Sequence, residues 1–242
     1  MKLLVKSLSS LCIAITLGAC GGGGNSSVTT NTDAQGFWAG TSSKGYTVNA
    51  AVLDNGEVWG IYSAGSTIYG ALYGTSSVNG STIAIAGTDF DFVANTTTAG
   101  TLTGPVVAKS TMTLANARVS VPLTYRTSYD TPATPSAIAG IWSYVGRTGS
   151  YTLVPATITI NSTGNFTLVQ STCTTSGAIV PRVGGKNVYN ITLTSSGICG
   201  AAGQSTWSGV LIVDTTVTPN KFLSLALTPS KNDGLIVIGT KM

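Results

Sequence analysis

Apolar and polar residues alternate in short runs along most of the chain. Tyr46 to Leu53 alternates, breaks at Asp54-Asn55-Gly56, and resumes as Glu57 to Tyr62. Asn-Gly between two such runs predicts a tight hairpin, because both turn residues tolerate positive φ. Further strands are predicted at Thr67 to Thr75, Ser81 to Ala86, Phe90 to Asn95, Gly100 to Val107, Ser110 to Ala115 and Val119 to Thr127. The breakers between them are Gly65, Asn79-Gly80, Gly87, Ala99-Gly100 and Asn116. After the polar stretch Asp130 to Ser136, with Pro132 and Pro135, strand patterns resume. They cover Gly140 to Val145, Tyr151 to Ile160, Asn165 to Gln170, Lys186 to Thr194, Ser205 to Asp214, Lys221 to Leu227 and Leu235 to Gly239. No ten-residue run with helical period and caps follows the first twenty residues.

This pattern predicts an all-β protein of two antiparallel meander domains, 36–130 and 140–242, joined by a linker at 131–139. Seven or eight strands per half suit up-and-down β-barrels, which leave no exposed edge. A β-sandwich of packed meanders is the alternative. The halves also echo each other. Gly36-Phe37-Trp38 opens the first and Gly140-Ile141-Trp142 the second, and the spacings from Trp38 to Gly104 and from Trp142 to Gly209 are 66 and 67 residues. A repeat of this period means two similar domains.

Composition sharpens the picture. Charged residues are only 8% of the 242, Ser plus Thr make up about a quarter, and Gly numbers 30. Such a chain suits strands and tight turns rather than helices, whose exposed faces rely on Glu, Lys, Arg and Gln. The formal charge is +4, and the Lys and Arg residues are scattered singly. No basic cluster interleaves with aromatics, so no nucleic-acid partner is expected.

The first twenty residues form a separate unit. Lys2 and Lys6 precede an apolar segment, Leu8 to Leu17, that is too short to span a bilayer. The segment reads as an export leader over 1–19. A flexible tether of Gly, Ser, Thr and Asn over 20–35 follows it. Leu17-Gly18-Ala19-Cys20 resembles the lipobox of bacterial lipoproteins. The resemblance implies cleavage after Ala19, diacylglycerol on Cys20 and an acylated amino terminus. An ordinary secretory peptide cut nearby is the other reading. Two or three acyl chains would anchor the protein firmly to a membrane. Gly21, rather than Asp, beside the lipidated cysteine leans by the same resemblance toward the outer membrane.

Cys12 would leave with the leader, and Cys20 would carry lipid. Cys173 and Cys199 remain, and an oxidising envelope compartment lets them form a disulfide. Closing that loop would stabilise the chain by about 3.5 kcal/mol in the chain-entropy picture. Free thiols or a metal pair are the alternatives, and with no His in the chain a metal site has little to draw on.

Candidate chemistry is sparse. Without His, His-based triads and dyads are excluded. Asp89-Phe90-Asp91-Phe92 is the one close carboxylate pair. On a strand it puts both Asp on one face and both Phe on the other. The expected arrangement has Phe inward and Asp in water; a cation site or a glycosidase-type dyad is the sharper option. The Trp and Tyr residues fill or cap barrel interiors, or else stack on a ligand. The opening Gly-x-Trp of each half resembles the first strand of calycins, the lipocalin and avidin group, in which the Trp plugs one barrel end. The lipocalin Thr-Asp-Tyr signature is not present, so the resemblance speaks to fold and not to ligand.

The resulting expectation is a non-enzymatic, lipid-anchored envelope protein that binds a protein or small-molecule partner. It needs no cofactor and has no catalytic residues, and its ligand-binding residues are not assigned. A structural or adhesive surface lipoprotein is the second reading, and an envelope hydrolase the third.

Overall fold

The computed structural model describes residues 34–149, 152–153, 155–197 and 205–242. The leader, Cys20, the start of the tether and Cys199 lie outside them. Two closed eight-stranded antiparallel barrels account for nearly all of the rest. The first comprises β1 (Gly36–Thr41), β2 (Thr47–Val52), β3 (Glu57–Ala64), β4 (Thr67–Asn79), β5 (Thr82–Asp91), β6 (Thr96–Val107), β7 (Thr111–Ala115) and β8 (Ser120–Tyr125). Each strand pairs with the next, and β8 returns to β1 with Trp38 opposite Tyr125. The second comprises β9 (Gly140–Thr148), β10 (Ala156–Ile160), β11 (Asn165–Gln170), β12 (Cys173–Pro181), β13 (Tyr189–Gly197), β14 (Ser205–Asp214), β15 (Lys221–Leu227) and β16 (Gly234–Lys241). It closes where β16 pairs with β9. The architecture is consistent with a calycin-like barrel used twice, and it is not a sandwich.

Local sequence explains the turns. At the β2–β3 hairpin the Asn55 side chain accepts from the Glu57 N–H at 3.1 Å, and Gly56 takes φ +83°. Two predicted breakers, Gly87 and Gly100, instead lie inside strands. Gly74, Gly87 and Gly100 sit opposite one another across β4, β5 and β6. A Cβ on Gly87 would lie 2.4 Å from the Tyr73 carbonyl oxygen and 2.8 Å from the Gly74 Cα. The row therefore lets the wall of the barrel bend sharply without breaking its ladder. In consequence the two short strands expected over Ser81 to Asn95 form one.

The repeat signal has a structural counterpart. Trp38 and Trp142 are both fully buried at the start of their barrels. Each indole N–H donates to the carbonyl four residues upstream, Ala34 at 2.9 Å and Ile138 at 2.8 Å. Each ring meets an aromatic edge, Tyr125 at 5.3 Å and Phe222 at 5.1 Å between centroids. Gly104 and Gly209 occupy the sixth strand of each barrel, where a Cβ would meet a seventh-strand carbonyl at 1.9 and 2.0 Å.

The barrels dock through their outer walls. On β1, β2 and β3 the file Phe37, Ala51 and Trp59 alternates with the inward file Trp38, Ala50 and Gly60. The outward file packs with Val210, Ile212 and Leu225 of the second barrel in one buried cluster. Phe90 and Phe92, both 2% exposed, join the same cluster.

Between the barrels run a 3-10 turn, Thr127–Asp130, and a one-turn helix, α1 (Pro135–Ile138), that buries Ile138 in the second core. Thr134 caps that helix and exchanges hydrogen bonds with the Tyr189 hydroxyl. The buried Asn187 side chain donates to the Ser128 carbonyl at 2.9 Å and the Val213 carbonyl at 2.6 Å. Asp130 accepts from Lys186 at 2.8 Å and Lys109 at 3.1 Å.

Candidate functional site

The inward file of the first barrel encloses a cavity of about 380 Å³. Closure of a meander fixes which side chains reach it, since every second residue of each strand points in. Val48, Ala50, Leu72, Ile85, Leu102 and Leu123 make its apolar wall. Trp38 and Tyr125, paired across β1 and β8 with ring centroids 5.3 Å apart, pack at the end where β1 begins. The other end lies among the β1–β2, β3–β4, β5–β6 and β7–β8 turns, and its rim carries Lys44, Tyr46, Tyr62, Tyr69, Asp89 and Asp91.

The rim is organised by contacts between side chains. Tyr46 packs on Tyr69 at 4.7 Å and on Tyr62 at 5.8 Å between ring centroids. The Tyr62 hydroxyl donates to Asp89 Oδ1 at 2.9 Å. It lies over Gly70, where a Cβ would stand 2.2 Å from that oxygen. Burial raises the Asp89 carboxyl above its ordinary range, and the neighbouring Asp91 adds to the rise. The Tyr62 hydrogen bond and the Lys44 charge oppose it. Burial and then the Asp89 charge push Tyr62 well above a normal phenol, so it stays protonated and keeps donating. Asp91 Oδ1 accepts from the Val93 and Ala94 N–H groups, both at 2.9 Å, which fixes the β5–β6 turn.

The expected orientation of the Asp-Phe pair is reversed. Asp89 and Asp91 face the lumen, while Phe90 and Phe92 point outward into the joint between barrels. Alternation distinguishes two faces but does not say which one is inside. Here a second barrel makes the outer face apolar. The sequence marks the tyrosines only as a group that fills barrel interiors or stacks on a ligand; the alternation Tyr46-Val48-Ala50 and Val58-Gly60-Tyr62 puts two of them on one face each, and closure of the barrel makes that face the lumen.

Chemically, the site offers an apolar chamber under a rim of phenols and carboxylates. It suits a molecule with an apolar body and a head group that donates hydrogen bonds. The two carboxylates are each engaged, one by Tyr62 and one by its own turn. Among the described residues no three His, Cys, Asp or Glu side chains gather at one point. The remaining tryptophans divide between roles: Trp59 belongs to the joint, and Trp207 lines the second barrel. Cys173 opens β12 opposite Gly197 of β13; Cys199 lies outside the described residues.

No protein-family model matches the sequence, and no curated protein matches it. Among solved structures, the chain is similar to a protein of unknown function of the DUF3598 family from Nostoc punctiforme. The likeness has 9% identity and a TM-score of 0.26, covering 87% of this chain and 97% of that one.

Proposed function

We propose that this protein is a non-enzymatic, lipid-anchored envelope protein that holds a small amphipathic ligand in its first barrel. The observation that carries the reading is the lumen itself: about 380 Å³, apolar in its depth and polar at its rim. Its volume falls in the range of small-molecule sites. A head group bearing N–H or O–H donors, neutral or cationic, would meet Asp89, Asp91 and the tyrosine rings. An anionic head would face two carboxylates against the single Lys44.

The anchor completes the reading. Lipid on Cys20 and a tether that ends before Ala34, which is buried in the first core, would place the barrels beside a membrane, most simply the outer membrane. A disulfide between Cys173 and Cys199 would then tie the β12–β13 edge; the register Cys173 opposite Gly197 supports it, since Cys199 follows two residues later.

Binding is tested with aminoanthracene, an apolar ring system with one amine, whose fluorescence rises in apolar surroundings. Saturable enhancement is expected for the purified protein, and its loss is expected in Leu72→Trp, which fills the chamber. No saturable signal, or an equal signal from the filled variant, would sink the proposal. The anchor is tested separately: Cys20→Ser should move the protein out of the detergent phase, and unchanged partitioning would refute lipidation.

A further inference from the structure

The second barrel encloses a cavity of about 270 Å³, with a lining unlike that of the first. Among the described residues no charged side chain contributes to it. Aliphatic and aromatic groups dominate, and the Thr175 and Ser195 hydroxyls pair with each other at 2.8 Å. Two polar atoms stand apart. The Tyr144 hydroxyl and the Trp207 indole N–H are both buried without a hydrogen-bond partner. Both residues line the cavity, and Tyr144 is only 5% exposed.

Unpaired buried donors are uncommon, because each forfeits its bonds to water with no return. Trp Nε1 can only donate. Gln170 lies on the same lining; burial raises the Tyr144 pKa and Gln170 lowers it. Like the indole N–H, the phenol O–H meets no acceptor within hydrogen-bond distance. The cavity presents two donors in an uncharged apolar chamber. What would satisfy them is an acceptor oxygen. An ionised carboxylate would lose its hydration with no countercharge to replace it.

We propose that the second lumen is a separate binding site for an uncharged, mainly apolar molecule carrying a carbonyl oxygen, such as a ketone or an ester, held by Tyr144 and Trp207. Its selectivity is opposite to that of the first barrel, whose rim supplies acceptors. The inference does not depend on the first site being occupied.

The test uses an uncharged naphthyl ketone dye, propionyl-dimethylaminonaphthalene, and its carbonyl-free parent, dimethylaminonaphthalene, titrated into the full mature protein. The ketone should bind more tightly than the parent. Tyr144→Phe should weaken the ketone about fivefold to tenfold and leave the parent within about twofold, as expected for one hydrogen bond. Trp207→Phe should act in the same direction. Leu72→Trp in the first barrel should leave ketone binding unchanged. Without ligand, Tyr144→Phe should raise the melting temperature, because it removes a buried hydroxyl that has no partner; a hydroxyl with a structural role would give a fall. Equal affinity for ketone and parent, an unchanged ratio in Tyr144→Phe, or loss of ketone binding in Leu72→Trp would overturn the assignment.

Discussion

Asn187 is the most direct probe of whether the two barrels behave as one body. Its side chain is 4% exposed and donates to the Ser128 carbonyl, beside the cap of the first barrel, and to the Val213 carbonyl in β14 of the second. Asn187→Leu nearly conserves shape and removes both donors. Losing the donor to the Ser128 carbonyl costs about 1 kcal/mol, because that carbonyl keeps the Thr131 N–H at 3.3 Å, and losing the donor to the Val213 carbonyl costs about 1–3 kcal/mol. The expected loss is therefore about 2–4 kcal/mol. For a folded body of this size that lowers the melting temperature by roughly 2–4 °C per kcal/mol, or about 4–16 °C in all. Scanning calorimetry reads the result. A single transition, shifted downward, is expected, because both partners of Asn187 lie in one packed unit. A shift below about 2 °C, or two separated transitions already in the wild type, would refute the reasoning.

Other substitutions test the remaining contacts. Trp38→Phe and Trp142→Phe each delete one buried indole bond to a carbonyl and should each lower stability by about 1–3 kcal/mol in urea melts; a cost confined to one of the two would break the parallel between the barrels. Asp89 has a folded-state pKa raised by burial, so the native state binds a proton that the unfolded chain has released. Its contribution falls as pH rises from the unfolded pKa through the folded one. Asp89→Asn should accordingly be stabilised relative to wild type at neutral pH, with the difference closing in acid. Asp130 is the opposite case: the Lys186 hydrogen bond lowers its pKa. Its contribution is present above the unfolded pKa and fades as pH falls through the folded one, so Asp130→Asn should cost stability at pH 7 but not in strong acid. Gly87→Ala should destabilise the first barrel by about 1–3 kcal/mol, because its methyl would strike backbone rather than a movable side chain.

Strand positions were largely legible in the chain because a barrel strand keeps a strict period of two. Asn165–Gln170, Ser205–Asp214 and Lys221–Leu227 coincide with the observed β11, β14 and β15. β12 was missed: Cys173-Thr174-Thr175-Ser176-Gly177 carries no alternation, and of the whole strand only Ile179 is buried. Its place is set by pairing with β11 and β13 rather than by its own pattern. Gly87 and Gly100 misled for a related reason, since a glycine that bends a wall looks locally like one that ends a strand. A ligand-stacking cavity is one of two readings of the aromatics, and the chain alone does not decide between them, because the side chains that line the lumen are ordinary Val, Ala, Leu and Ile, the same types that would fill a core. Only closure of the sheet distinguishes filling from lining. The face taken by Asp89 and Asp91 depended on a neighbour that no local pattern announces.

The greasy flank that joins Phe37, Trp59, Phe90 and Phe92 to Val210, Ile212 and Leu225 has a consequence for how the polypeptide matures. Either half released alone would expose a sticky wall to solvent, even with its own ladder fully closed. Truncations after the 3-10 turn should therefore clump or recruit chaperones, whereas the two fragments supplied together should reassemble across that seam.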